Sequence, residues 1–398
     1  MDDEDTPELA AYRAEVRAWL AANSADAPPR SVLEPPDAED VRRHRAWQAR
    51  LAGAGYAGVT WPVEHGGAGR GPAERIAVDQ ELEAHGVAGV FDFIGVDMVG
   101  PTLMVHATAE QCARHLRPLL RGDEVWCQLF SEPGAGSDLA AVRTRARPLP
   151  GGGWQVDGQK VWTTHAQHAS FGIMLARTDP EVPKHRGLTM FVVPMDAAGV
   201  TVRPLRQISG EAEFNEVFLD GVRLEPGSSI GAPGDGWTVA LTMLGFERLT
   251  VGSGRHGARL DRLVAAVAGD AAARTDPLVR ARLGRIATEL LALRHFNLRL
   301  RTRIAEGAVP GPEAGLAKIT TVLASFAAAQ LAVDVAGPRA LVDGEWGHQV
   351  SALPGLRSAG GTEEILRNVI GERVLGLPPE PRVPQPVPGE APRAPRAH

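Results

Sequence analysis

The chain has 398 residues, 44% hydrophobic and 23% charged, a composition typical of a soluble protein of two or three domains. Its 42 basic and 48 acidic residues give a net charge of −6 with no long basic run. This argues against nucleic-acid binding, which needs clustered positive charge. No run approaches 18 uninterrupted apolar residues, so no membrane span is expected. Two cysteines and the acidic start at Met1–Asp5 predict a cytoplasmic protein without a disulfide framework.

The first block, residues 1–124, is predicted to form an N-terminal helical domain. Apolar residues recur there at steps of three and four, the pattern of one face of an amphipathic helix. The clearest runs are Leu9–Trp19, Ala73–His85 and Ala109–Leu120.

The second block, residues 125–228, changes to an alternation of period two, which is typical of strands. Turn sequences such as Gly151–Gly153 and Asp157–Gly158 separate the short runs. The predicted strands include Trp154–Val156, Gly172–Arg177, Leu188–Val193 and Asn215–Leu219. This block is expected to be a small antiparallel β domain.

The third block, residues 229–377, returns to a helical pattern. Asp276 followed by Pro277 is a helix-start signal, and apolar residues then step by three and four as far as Ile304. Long helices of this kind pack as an antiparallel bundle. The last segment, residues 378–398, contains eight prolines and is expected to be a disordered tail.

Two short motifs are not expected to carry the chemistry. Gly252–Gly257 matches G-x-G-x-x-G, but a helical pattern precedes it where a dinucleotide-binding turn requires a strand. His165 and His168 have no carboxylate or cysteine at ligand spacing, so no metal site is expected.

Three segments combine glycines with hydroxyl-bearing residues. They are Ser131–Asp138 (SEPGAGSD), Gly158–Thr164 (GQKVWTT) and Gly360–Ile365 (GGTEEI). Glycines let the backbone approach a planar or phosphorylated ligand closely, and hydroxyl groups can hydrogen-bond to it. A fourth segment, Asn215–Asp220 (NEVFLD), closes the β block.

In these four segments the chain resembles the acyl-CoA dehydrogenase family, which carries them in the same order at comparable separations. The resemblance covers about Glu8–Leu377 and implies an α+β fold with an N-terminal helical domain, a middle antiparallel β domain and a C-terminal four-helix bundle. It also implies FAD as the cofactor. Asp276–Arg280 and Arg367–Ile370 resemble segments of actinobacterial members that act on bulky steroid-side-chain acyl-CoAs.

The resemblance implies which residues hold FAD. Ser131 and Thr164 are expected to hydrogen-bond the flavin ring, and Trp162 is expected to pack against it. Donors near N5 and the pyrimidine edge of a flavin stabilise its reduced anionic form. The other expected cofactor contacts come from Leu129, Phe130, Gly136, Ser137, Gly361, Thr362 and Glu364.

Acyl-CoA dehydrogenation needs a carboxylate beside the α-carbon of the substrate, opposite the flavin. Many family members carry it immediately before the Gly-Thr dipeptide, where this chain has Gly360. A second location known in the family is a Glu-Arg pair on a helix of the last domain, which corresponds to Glu247 and Arg248. We predict that Glu247 is the base and that the backbone N–H of Gly360 binds the thioester carbonyl. Ser137, Phe246 and Arg248 are the expected substrate contacts.

The surroundings predicted for Glu247 are apolar. It is expected at the flank of a helical stripe formed by Trp237, Leu241, Leu244 and Val251. A carboxylate among apolar groups loses hydration, so its pKa is expected to be raised. The alternative is a Glu247 that is either solvated or salt-bridged with Arg248.

Two family elements that reach FAD across a subunit interface are altered. The R-x-x-F-G motif is replaced by Gly269–Asp276 (GDAAARTD), and the usual glutamine of Q-x-x-G-G is Asp334. Either Arg274 or other groups substitute within a homotetramer, or a homologous subunit supplies the missing contacts in a heterotetramer.

The leading hypothesis is an FAD-dependent acyl-CoA dehydrogenase that passes electrons to an electron-transfer flavoprotein. One alternative is a non-catalytic or co-catalytic subunit of a heteromeric acyl-CoA dehydrogenase. Another is a flavin monooxygenase or oxidase on the same fold. A degenerate subunit need not keep Glu247 and oxygen chemistry does not require it, so its presence favours the dehydrogenase.

Overall fold

The computed structural model of the chain describes residues 5–29, 37–252, 257, 259–306, 308, 311–342 and 344–379. Within these residues the order is helical, then strand, then helical, as predicted. From residue 380 onward the predicted tail lies outside the described residues, as does most of the Gly252–Gly257 motif.

Among its described residues the first block forms five α-helices: α1 (Pro7–Asn23), α2 (Ala38–Gly53), α3 (Pro72–Ala84), α4 (Gly100–His106) and α5 (Ala109–Arg121). The three predicted runs correspond to α1, α3 and α5. Helix α2 was not predicted because its sequence is rich in arginine and its apolar residues are few. A π-helical turn at Gly95–Val99 precedes α4 and packs against the third block.

The second block and the first two residues of the third form one sheet of eight strands: β1 (Trp126–Leu129), β2 (Arg145–Pro148), β3 (Trp154–Thr164), β4 (Phe171–Arg177), β5 (Leu188–Pro194), β6 (Val200–Leu205), β7 (Phe214–Leu224) and β8 (Ser229–Ile230). The order is β6-β7-β3-β2-β4-β5-β8, and β1 also pairs with β4. Most pairs are antiparallel as predicted, but β1 lies parallel to β4 and β2 meets β4 in parallel at Arg145 and Arg177. The long segment between β1 and β4 lets the chain return in the same direction.

The third block contains seven α-helices among its described residues: α6 (Gly236–Gly252), α7 (Leu260–Gly269), α8 (Ala271–Thr275), α9 (Pro277–Ala305), α10 (Ala314–Ala336), α11 (Glu345–Ser358) and α12 (Glu363–Arg373). Helix α9 starts as predicted, because Asp276 Oδ1 accepts hydrogen bonds from the backbone N–H groups of Leu278 at 2.7 Å and Val279 at 3.4 Å. Helix α10 is central and packs against α6, α9 and α11.

One described stretch, Ala314–Ala340, is long and apolar enough to cross a membrane by length and composition. It comprises α10 and the 3-10 turn that follows, and half of its apolar window is buried inside the fold. A helix that is apolar on all sides is also typical of the centre of a bundle. The contacts of α10 with α6, α9 and α11 favour that explanation.

Candidate active site

Glu247 lies on α6 along a line of buried residues. Ala240, Met243 and Thr250 precede or follow it at helical spacing and are buried. The stripe predicted from sequence was wrong, because its members Trp237 and Leu244 are only partly buried. Helix α6 packs against the first block, β5 and α10, so it is apolar on several sides and its periodicity does not identify the best-buried face.

The environment of Glu247 raises the pKa of its carboxyl group. Burial is the largest cause, because it disfavours the charged form. A hydrogen bond from Gln128 Nε2 to Glu247 Oε2, 3.0 Å long, acts in the opposite direction. The positive charges of Arg248 and Lys318 and a backbone hydrogen bond from Gly360 also favour ionisation, but the pKa remains raised. Glu247 thus has the environment expected of a general base.

Gly360 and Glu247 meet at one place. Gly360 has φ of +65°, and a Cβ atom on it would lie 3.4 Å from Oε1 of Glu247. A longer side chain at residue 360 would therefore enter the space beside the carboxylate, in keeping with the predicted exchange of base positions. The backbone of Gly360, whose N–H is predicted to bind a thioester carbonyl, thus lies beside the Glu247 carboxylate.

The first two glycine-bearing segments are joined by a buried ion pair. Lys160 Nζ donates to Glu132 Oε1 at 2.9 Å and to the backbone carbonyls of Phe130 and Leu175 at 3.0 and 2.7 Å. The Glu132 carboxylate also accepts from two backbone N–H groups, at residues 143 and 144. Burial acts to raise the pKa of Glu132, but Lys160 and these donors hold it below its usual range. The ion pair fixes Ser131–Asp138 against β3.

Trp162 has an unusual backbone and a largely free ring. Its φ is +60°, its side chain is 61% exposed, and the register of β3 against β7 shifts between Lys160 and Thr163. A bulky residue at positive φ is strained, and such strain clusters at functional sites. The ring meets Phe214 edge-on at 6.0 Å. One broad face of an indole is thus available for a planar ligand.

The remaining predicted cofactor residues differ in exposure. Leu129 and Phe130 are buried, whereas Ser137 and Gly136 are exposed. Thr362 is the N-cap of α12, where its hydroxyl accepts from the backbone N–H of Ile365 at 3.3 Å. The other members of the set are partly buried or exposed: Ser131, Thr164, Gly361 and Glu364.

The residues present fit a bound flavin. Trp162 offers an exposed aromatic face, and the neighbouring Thr163 has a buried hydroxyl with no hydrogen-bond partner among the described residues. Arg248, next to Glu247 in sequence, has a buried Nε that also lacks a hydrogen-bond partner among the described residues. Buried polar atoms without partners are rare in proteins and are often completed by a ligand.

Comparison with known proteins decides the family. Three domain models of acyl-CoA dehydrogenases match the chain: the N-terminal domain at residues 6–123, the middle domain at 127–222 and the C-terminal domain at 234–375. The acyl-CoA dehydrogenase IpdE1 of Mycobacterium tuberculosis is 40% identical over 93% of this chain and 98% of its own length. The chain belongs to the acyl-CoA dehydrogenase family. The predicted resemblance is therefore confirmed, and the chain is an oxidoreductase by family.

Solved acyl-CoA dehydrogenases share its architecture. The structure titled Tcur3481-Tcur3483 steroid ACAD is 29% identical, with a TM-score of 0.80 over 96% of this chain and 100% of that chain. The ChsE4-ChsE5 complex from Mycobacterium tuberculosis is 27% identical, with a TM-score of 0.78 over 96% and 100%. The predicted fold class is confirmed by these matches.

Asp334 of this acyl-CoA dehydrogenase forms an ion pair and a hydrogen bond within its own chain. Its Oδ2 lies 2.8 Å from Arg282 Nη1 of α9, and its Oδ1 accepts from Gln330 Nε2 at 2.9 Å. Arg274, considered above as a substitute for the altered elements that reach FAD, is exposed on α8. The position of the usual family glutamine is thus occupied by a carboxylate with two partners in its own chain.

Sequence reasoning missed two side chains of this site. Gln128 reaches Glu247 from β1, and Lys318 supports the loop of Gly360 from α10. Lys318 is buried, and its Nζ donates to the backbone carbonyls of Arg357 and Gly361, both at 2.9 Å. The available signal was a single lysine in a long apolar helix, since a buried ammonium needs acceptors.

Proposed function

We propose that the chain catalyses FAD-dependent α,β-dehydrogenation of an acyl-CoA thioester with Glu247 as the base. The observation that carries this proposal is the 3.4 Å separation between Glu247 Oε1 and a Cβ position on Gly360. The chain thereby brings a half-buried carboxylate to the place where many family members carry theirs. Gln128 joins this carboxylate to the strand that continues into Leu129–Ser131.

The reaction breaks two C–H bonds of the acyl group. The α-proton goes to the Glu247 carboxylate, and the β-hydrogen leaves with its electron pair, so that an α,β double bond forms. FAD, when bound, supplies the acceptor for this hydride at N5. Burial makes Glu247 a stronger base than a surface carboxylate. The N–H of Gly360 would donate to the thioester oxygen, where negative charge develops.

The residues that would hold FAD lie on two blocks of the chain. Ser131 and Thr164 would hydrogen-bond the flavin ring, and Trp162 would pack on it. The rest of the proposed set is Leu129, Phe130, Gly136, Ser137, Gly361, Thr362 and Glu364. Arg248 has an unpartnered buried Nε, which makes it a donor for the substrate. Ser137 would add a hydroxyl group, and Phe246 would add an apolar contact.

The substrate and partner classes follow from relatives. A steroid ACAD and a ChsE4-ChsE5 complex share this fold at 29% and 27% identity. We propose a bulky, steroid-side-chain type of acyl-CoA as substrate, an electron-transfer flavoprotein as electron acceptor and a cytoplasmic location. We also propose domain limits at residues 1–124, 125–228 and 229–377.

Flavin reduction tests the proposal. The FAD-loaded protein is mixed anaerobically with 3-oxochol-4-en-24-oyl-CoA and, separately, with octanoyl-CoA. The wild type should bleach with the steroid thioester, and Glu247→Gln should lose at least about a thousandfold in rate, as expected when the group that accepts the proton is removed. Glu289→Gln, which alters a half-buried ion-pair partner of the exposed Arg285, is the matched control and should bleach like the wild type. Undiminished bleaching of Glu247→Gln would refute the assignment.

A second candidate is a catalytic subunit of a heterotetramer. The carboxylate of Asp334 at the position of the usual glutamine, already paired with Arg282, favours it over a homotetramer, and the related ChsE4-ChsE5 complex is named for two different subunits. The test is the flavin content and native mass of the chain expressed alone. A yellow homotetramer with one FAD per chain would contradict the heteromer.

A further inference from the structure

Gln128 reaches the base from the strand that leads into the first flavin segment. Its neighbours Cys127 and Leu129 face the core of the sheet, whereas Trp126 faces the core of the helical block. Since side chains alternate along a strand, Gln128 points toward α6. Its Nε2 donates to Oε2 of Glu247 at 3.0 Å, across 119 positions of sequence.

The two oxygens of Glu247 have different neighbours. Oε2 accepts the hydrogen bond from Gln128, whereas Oε1 is the oxygen beside the Cβ position of Gly360. The space that a side chain at residue 360 would fill therefore adjoins Oε1. This makes Oε1 the oxygen that can receive a proton from a ligand, while Oε2 stays attached to β1.

An amide suits this place chemically. It is neutral, it can donate through Nε2 to a carboxylate, and it can accept through Oε1 from a carboxylic acid. The charged groups acting on Glu247 are Arg248 from its own helix and Lys318 from α10. A third cation in place of Gln128 would hold the carboxyl ionised and weaken it as a base, and an apolar residue would leave a buried charge with one donor fewer.

We propose that Gln128 is the positioning residue of the base, holding Oε2 of Glu247 so that Oε1 takes the α-proton of the substrate. This inference rests on the proposed function. In the proton transfer the α C–H bond breaks, an O–H bond forms at Oε1, and the electron pair remains on the thioester as an enolate. Oε2 is then the carbonyl oxygen of the protonated acid and still accepts from Nε2 of Gln128, so the same hydrogen bond serves both states.

A ligand that can lose the α-proton but cannot deliver a hydride isolates this step. In (methylthio)acetyl-CoA sulfur replaces the β-carbon, so the enolate forms beside the oxidised flavin and gives a long-wavelength absorbance. The rate constant for its appearance is measured by stopped flow from pH 5 to 8.5 on FAD-loaded protein. The variants are Gln128→Met, which keeps the length without hydrogen bonds, and Gln128→Glu, which keeps the shape and adds a charge.

In Gln128→Met the pH midpoint of the rate should rise by about one unit and the plateau should fall about tenfold, the size expected for a hydrogen bond to a charged group. In Gln128→Glu the midpoint should rise further, because a like charge faces the base. The control Gln159→Met removes a comparable 2.9 Å bond to Glu216 on β7 and should leave the midpoint unchanged. Gln128→Met with the midpoint and plateau of the wild type would overturn the inference.

Glu247→Gln separates this inference from the proposed function. It should give no absorbance at any pH, because no group accepts the proton. If Glu247→Gln reacts like the wild type, both the proposed function and the role of Gln128 are refuted. If it is silent while Gln128→Met matches the wild type, the base stands and only the role of Gln128 is refuted.

Discussion

Gly360 approaches Glu247 so closely that a Cβ atom on it would lie 3.4 Å from the carboxylate oxygen Oε1. The two residues come from the loop before α12 and from the middle of α6. The same space can hold a carboxylate from residue 360 or one from α6. In this chain the carboxylate comes from α6. The glycine has a second effect, because its φ of +65° is readily adopted only by glycine.

Gly360→Ala is expected to destabilise the protein by about 1 kcal/mol, because the left-handed conformation is strained for an L residue. The added methyl group makes an ordinary contact with Glu247, so backbone strain is the main cause. Denaturant unfolding of the FAD-loaded protein measures the change. Gly355→Ala within α11, where nothing lies within 4 Å of the new atom, should instead stabilise by about 0.5–1 kcal/mol. Equal effects of the two substitutions would contradict the explanation.

The raised pKa of Glu247 links stability to pH. Because the folded-state pKa lies above the unfolded value, the protonated carboxyl stabilises the fold at low pH. This contribution is lost as pH rises from the ordinary carboxyl range through the raised value. Glu247→Gln cannot ionise, so its melting temperature should exceed that of the wild type increasingly from pH 5 to pH 8.5. Thermal unfolding of the flavin-free proteins measures the difference, and parallel pH profiles would contradict the burial of this charge.

Replacement of Trp162 by glycine should raise the stability of the flavin-free protein and lower its affinity for FAD. Trp162→Gly relieves the strain at φ of +60° and should stabilise the flavin-free protein by about 1 kcal/mol. It should weaken FAD binding about tenfold or more, because the stacking face is lost. Trp162→Phe keeps a ring and the strain, so its FAD affinity should stay near that of the wild type. Titration of each apoprotein with FAD measures the affinity, and denaturant unfolding of the flavin-free proteins measures the stability. Unchanged affinity in Trp162→Gly would remove Trp162 from the flavin site.

The sequence predicted the parts of this site that lie in short, ordered motifs. The sequence alone predicted that Glu247 and Gly360 lie in one site. The usual carboxylate position is glycine in this chain, and the second position known in the family is the Glu-Arg pair at residue 247. Gln128 could not be found this way, since it is one residue of a period-two strand and its partner lies 119 positions away. The parallel pairing of β1 with β4 was missed for the same reason, because local alternation contains no information on strand direction.

The supporting role of Lys318 gives the last prediction. Lys318→Met removes the donor to the carbonyls of Arg357 and Gly361, and leaving buried acceptors unpaired costs about 1–3 kcal/mol each. Unfolding free energy should fall by about 2–5 kcal/mol, and the pH midpoint of the proton-abstraction rate should rise because a positive charge near Glu247 is lost. Lys184→Met breaks only an exposed ion pair with Asp138 and should cost less than about 1 kcal/mol. If Lys318→Met unfolds like Lys184→Met and keeps the wild-type midpoint, the loop of Gly360 is held by other contacts.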